Sequence, residues 1–128
     1  MQAGAFYNRL SKDAGEELAR VLASLPEDLR EAAGKLPVIC QLTPGRELLD
    51  EGELDEDLLG LFVGASYAEA VTGSNEQPPQ IFLFLGNIWE YSDGDPRIYR
   101  RELRKTYLHE LGHYLGLGEG ELDARGMG

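Results

Sequence analysis

The sequence predicts a single α+β domain spanning residues 1–128. Three observations carry this. The length of 128 residues falls within one domain. Amphipathic helical patterns open and close the chain, and three short apolar runs lie between them.

Taken in order, "KDAGEELARVLASL" (12–25) puts Leu18, Val21, Leu22 and Leu25 on one stripe, with Ser11 as the expected cap. "LPEDLREAAGKLP" predicts a second, short helix opened by Pro26 and stopped near Gly34. "LPVICQL" (36–42) is short, apolar and β-branched, hence a strand, and "LLGLFVG" (58–64) is a second. The stretch between them, "ELLDEGELDED" (47–57), carries seven carboxylates in eleven residues and is expected to be a solvated loop without the pattern of a calcium loop. "TGSNEQPPQ" (72–80) is loop-like. "QIFLFLG" (80–86) gives the strongest strand signal, apolar on both faces, and "NIWEYSDGDP" is expected to turn the chain. Asp95 as a cap and Pro96 in the first helical position then start a helix that runs to about Gly116.

Composition narrows function. Twelve basic against 23 acidic residues give a formal charge of -11, which repels phosphate backbones unless positive charge is concentrated somewhere. The one basic run, "RIYRRELRK" (97–105), is expected to be the solvated face of a helix, so no nucleic-acid partner is expected. No apolar run approaches membrane-spanning length and the first residues lack a signal-peptide pattern. Cys40, the single cysteine, sits in an apolar run and suits a reducing, cytoplasmic compartment.

Both histidines lie in "HELGHYLGLGE" (109–119). At 100° per residue, Leu103, Tyr107, Leu108, Leu111, Tyr114 and Leu115 form the core stripe of this helix, and His109 and His113 fall opposite it with Glu102 and Thr106. A pair of solvated surface histidines would look alike at this level. Yet random placement of this composition yields the histidine spacing, the intervening glutamate and the glycine at 116 only roughly 2 times in 10,000. Imidazoles one turn apart can take adjacent corners of a zinc tetrahedron. Glu110, rotated one residue away, would stand beside the Zn2+ and accept a proton from a water the metal acidifies. Gly116 breaks the helix so that the chain can reverse. Glu119 then stands where the His-Glu-x-x-His-x-x-Gly-x-x-His pattern has its third ligand; Glu121 and Asp123 are the fallbacks.

With "SLPEDLREAAGKLPVICQLTPG", "LLGLFVGASY" and "QIFLFLGNIWEY" ahead of "LRKTYLHELGHYLGLGEGEL", the chain from about 14 to 126 resembles the small bacterial zincin-like metallopeptidases. That resemblance implies a minimal zincin fold, a small mixed sheet packed on the N-terminal and active-site helices. It implies His109, His113 and Glu119 as metal ligands and Glu110 as general base. It departs at Tyr114, where family members often carry histidine, but that position faces the core stripe. Met127 is not expected to form the methionine turn of metzincins, nor is a ligand from a second long helix expected in the fifteen residues given after His113.

The expected activity is peptide-bond hydrolysis, with a peptide or protein substrate laid along an exposed sheet edge. "QIFLFLG" is expected to be that edge. Arg125 is within sequence reach as an oxyanion partner, or only neutralises nearby carboxylates. Two alternatives stand beside this: a zinc-stabilised interaction module without catalysis, and a metal-dependent endoribonuclease with the same histidine spacing. The ribonuclease pattern has glycine where this chain has Glu110, and it requires a basic groove.

Overall fold

The computed structural model describes residues 2–46, 49, 55–64 and 78–117. The chain order is α1 (Gln2–Ser24), α2 (Glu27–Gly34), β1 (Val38–Gln41), β2 (Gly60–Val63), β3 (Gln80–Phe84), α3 (Leu85–Tyr91) and α4 (Pro96–Leu115). It is the small α+β fold with a mixed sheet that the sequence implies. No described helix is long and apolar enough to cross a membrane.

Helix α1 begins ten residues before the expected position, and Ser11 lies inside it rather than capping it. The core-facing positions Leu10, Ala14, Val21 and Leu25 are all nearly or fully buried. Their four- and seven-residue spacings show one continuous stripe that extends back past Ser11. α2 starts after Pro26, with Glu27 and Asp28 in its first turn where the helix dipole favours negative charge.

The sheet order is β1-β3-β2. β1 pairs parallel with β3 through Val38↔Ile81 to Gln41↔Phe84, and β2 pairs antiparallel through Gly60↔Leu83 to Val63↔Gln80. β3 is therefore the central strand, which corrects the expectation that "QIFLFLG" forms an exposed edge. A strand apolar on both faces needs cover on both, and the centre of the sheet provides it. Ile81, Leu83 and Phe84 are fully buried.

β3 runs without a loop into α3, so the expected turn at "NIWEYSDGDP" is confined to residues 92–95. Leu85 and Ile88 bury one face of α3. The Asn87 side chain donates to the carbonyls of Glu56 (2.7 Å) and Leu58 (2.9 Å), anchoring the approach to β2.

α4 lies at the centre, touching β2 and β3 on one side and α1 and α3 on the other. Tyr99, Leu103, Tyr107 and Leu111 fill this core with essentially no exposure, as the apolar stripe predicts. The Tyr99 hydroxyl donates to Leu10 O (2.9 Å). The basic run is not wholly a solvated face. Arg100 reaches Glu16 (2.8 Å), Asp13 (3.1 Å) and Glu17 (3.8 Å) on α1, which ties the two helices. The Glu16 hydrogen bond holds the guanidinium pKa above its ordinary value and the Glu16 carboxyl below its own.

Candidate metal centre

The site is built on the last two turns of α4. Asp95 caps the helix start as expected, accepting from Arg97 N (2.9 Å) and Ile98 N (3.4 Å). At the other end Gly116 takes φ 73°, and Leu117 N donates back to Gly112 O (2.8 Å). That six-to-one closure around a left-handed residue ends the helix and turns the chain back, and it favours glycine.

His109 and His113 are both exposed, while Leu103, Tyr107, Leu108, Leu111 and Tyr114 are buried beneath them. Their Nε2 atoms converge to 3.1 Å, with ring planes at 81°. Two nitrogens bound to one tetrahedral zinc at ~2.0–2.1 Å stand about 3.3 Å apart, so the donor set fits that ion without rearrangement of the helix. A cation there also faces the negative end of the helix dipole. The ligand atoms of His109, Glu110 and His113 all lie within 4.8 Å of one another, making this a metal-capable cluster among the described residues.

The sequence does not foretell the surroundings of Glu110. Its Oε1 accepts a hydrogen bond from Phe62 N at 2.9 Å. Leu59 O accepts from Phe84 N, so in the antiparallel ladder the odd-numbered residues of β2 face β3 and the even ones face outward. The Phe62 N–H is therefore on the edge of β2 that no described strand pairs, and the carboxylate caps it. The opposite edge is partly closed in a similar way, as Tyr7 from α1 donates to Cys40 O (3.0 Å).

β2 lies against the face of α4 that carries Thr106 and Glu110. A Cβ at Gly60 would stand 2.6 Å from Thr106 Cγ2 and 3.2 Å from Phe82 O, so only glycine permits this approach. Phe62 also meets Tyr114, ring centres 5.7 Å apart. Gly60 within an apolar run was the one sequence signal of a close backbone contact.

Glu119, Glu121, Asp123 and Arg125 lie outside the described residues, as does most of the acidic 47–57 stretch. Cys40 is half-buried in β1, and burial pushes its thiol pKa up, so it is poorly suited to ionise as a ligand.

The two imidazoles and the Glu110 carboxylate thus form a cluster that could hold a metal ion, beside the β2 edge. The zincin-like metallopeptidase family model matches residues 34–128, and the chain belongs to that family of zinc metallopeptidases. No curated protein matches the sequence.

Proposed function

We propose that the protein is a zinc-dependent peptidase in which His109, His113 and Glu119 hold the metal and Glu110 is the general base. The observation that carries this is the 3.1 Å convergence of the two Nε2 atoms beside the Glu110 carboxylate, on a helix face kept out of the core. Bound there, zinc would supply Lewis acidity, acidifying a water and polarising the attacked carbonyl. Glu110 takes the proton from that water and returns it to the departing amine.

The substrate backbone is held on the β2 edge, which stands in for the β3 edge that the fold excludes. Gly60 and Phe62 turn their peptide groups outward there, and an added strand finds its partners in them. The chain of an incoming peptide replaces Glu110 as the acceptor for Phe62 N–H, which frees the carboxylate for proton transfer.

One observation favours a second reading. Glu110 already has a structural partner in Phe62, as it would in a zinc-stabilised module without catalysis. Bound zinc and cleavage of a peptide library should be measured for wild type, Glu119→Ala and Glu110→Gln. The peptidase reading expects about one zinc per wild-type chain, weaker binding in Glu119→Ala, and activity lost with metal retained in Glu110→Gln. Zinc without hydrolysis in any form leaves the module. Wild type that takes up no zinc ends both readings.

A further inference from the structure

A cavity of about 420 Å³ opens beside the histidine pair. Leu58, Leu59 and Gly60 line it from the sheet, and Lys105, Thr106, His109 and Glu110 from the helix. Among the described residues that line it, Lys105 is the one lysine or arginine. We propose that Lys105 selects a carboxylate carried by the second residue C-terminal to the cleaved bond. This rests on the peptidase reading of the same site.

The direction follows from the register of β2 on α4. Gly60 meets Thr106, and two residues on Phe62 meets Glu110, four residues on. Two strand residues rise ~6.6 Å and four helical residues ~6 Å, so strand and helix advance side by side. A peptide added antiparallel to β2, the more stable pairing, runs the opposite way. Its N-terminal part lies toward Tyr114 and its C-terminal part toward Gly60, Leu58 and Lys105. Lys105 stands one helical turn before His109, a distance that about two residues of extended chain cover.

Charge supports the same assignment. Lys105 Nζ lies 4.0 Å from Glu102 Oε1, and Arg101 Nε lies 3.5 Å from that same oxygen. Two cations share one carboxylate, so Glu102 does not engage Lys105 alone, on a chain of formal charge -11. The Lys105 side chain is 62% exposed and free to swing into the cavity. Leu58 and Leu59 offer an apolar wall to whatever stem bears the carboxylate. The acid can be an acidic side chain or the chain's own C-terminus.

Mercaptoacetyl dipeptide amides test this without turnover, since the thiol anchors on zinc and the chain extends only to the C-terminal side. Three probes suffice: mercaptoacetyl-Leu-Gln-amide, the Leu-Glu-amide, and Leu-Gln with a free C-terminus. Binding to zinc-loaded wild type, Lys105→Gln and Lys105→Glu is followed by calorimetry, with zinc content measured for each. At least one carboxylate probe should bind wild type roughly fivefold more tightly than the neutral amide, as a partly exposed ion pair allows. The preference should vanish in Lys105→Gln and reverse in Lys105→Glu, with zinc content unchanged. Preference for the Leu-Glu-amide alone assigns an acidic side chain; preference for the free C-terminus alone assigns the chain end. Equal affinities in zinc-loaded wild type, or a preference that survives in Lys105→Gln, overturn the inference and leave the peptidase reading standing. Failure of wild type to load zinc removes both.

Discussion

Phe62 N donates to Glu110 Oε1 at 2.9 Å, joining residues 48 apart in sequence across the gap between the sheet edge and the metal helix. The bond is part-buried and charge-assisted, a kind that contributes about 1.5–3 kcal/mol when fully enclosed and less here. We expect Glu110→Ala to destabilise the chelator-treated protein by about 1 kcal/mol or more, because Phe62 N–H loses its acceptor. Glu110→Gln keeps an acceptor oxygen and should cost less. Urea unfolding midpoints decide: equal midpoints for wild type and Glu110→Ala would show the bond contributes nothing to the fold.

Gly60→Ala tests the fit of strand on helix. The new methyl would sit 2.6 Å from Thr106 Cγ2, and overpacking of this kind costs about 1–3 kcal/mol. Thr106→Ser deletes that methyl while retaining a hydroxyl that can donate to Glu102 O, as Thr106 does now at 2.7 Å. Most of the loss should therefore be recovered in the double variant, though not all, since Phe82 O remains 3.2 Å away. A double-mutant cycle with no coupling would contradict the contact.

Burial pushes the Tyr107 pKa from 10.0 up to about 12. A group raised in the folded state supports folding fully below its unfolded value and loses that support as pH climbs through the folded one. Between pH 10 and 12 the wild type should thus lose about 2–3 kcal/mol more than Tyr107→Phe does. Stability curves for the two proteins that stay parallel over this range would refute the assignment. Tyr99, also raised by burial, adds a similar slope to both and cancels in the comparison.

Zinc should stabilise the native chain by mass action, about 2.7 kcal/mol at a hundredfold excess over its dissociation constant. Thermal unfolding with and without zinc should show this shift in wild type and not in His109→Ala or His113→Ala. Both histidines are exposed, so neither substitution should lower the metal-free melting temperature by much. A zinc-induced shift that persists in His109→Ala would place the metal elsewhere.

The long helix of the site was legible because its signals are local: Asp95 and Pro96 at the start, Gly116 at the end, and an apolar stripe read from Leu103 to Leu115 that the structure carries back to Tyr99. Strand positions were also legible, their order was not. Nothing in "QIFLFLG" distinguishes an edge from a centre except its two-sided apolarity, which means burial on both faces. α3 was missed because Gly86, Asn87 and the following "SDGD" favour turns, while Leu85 and Ile88 gain more from core packing than those residues lose. The Phe62–Glu110 bond is made by a backbone N–H, which has no residue-specific signature in a sequence.

The strand order also governs when each half of the site can come into being. Among the described strands β3 is the last made and the other two pair with it, Val38 with Ile81 and Phe62 with Ile81 from the other side. Neither of these pairings can form during synthesis until β3 emerges, and pairings this distant in sequence are slow to close. The two imidazoles, by contrast, need only the final turns of a single helix to approach each other. The histidines are made after β3, yet helical turns form faster than strand pairings this distant. The chain can therefore bring both imidazoles together while β2 is still finding its place against Thr106, and metal binding would then steady α4.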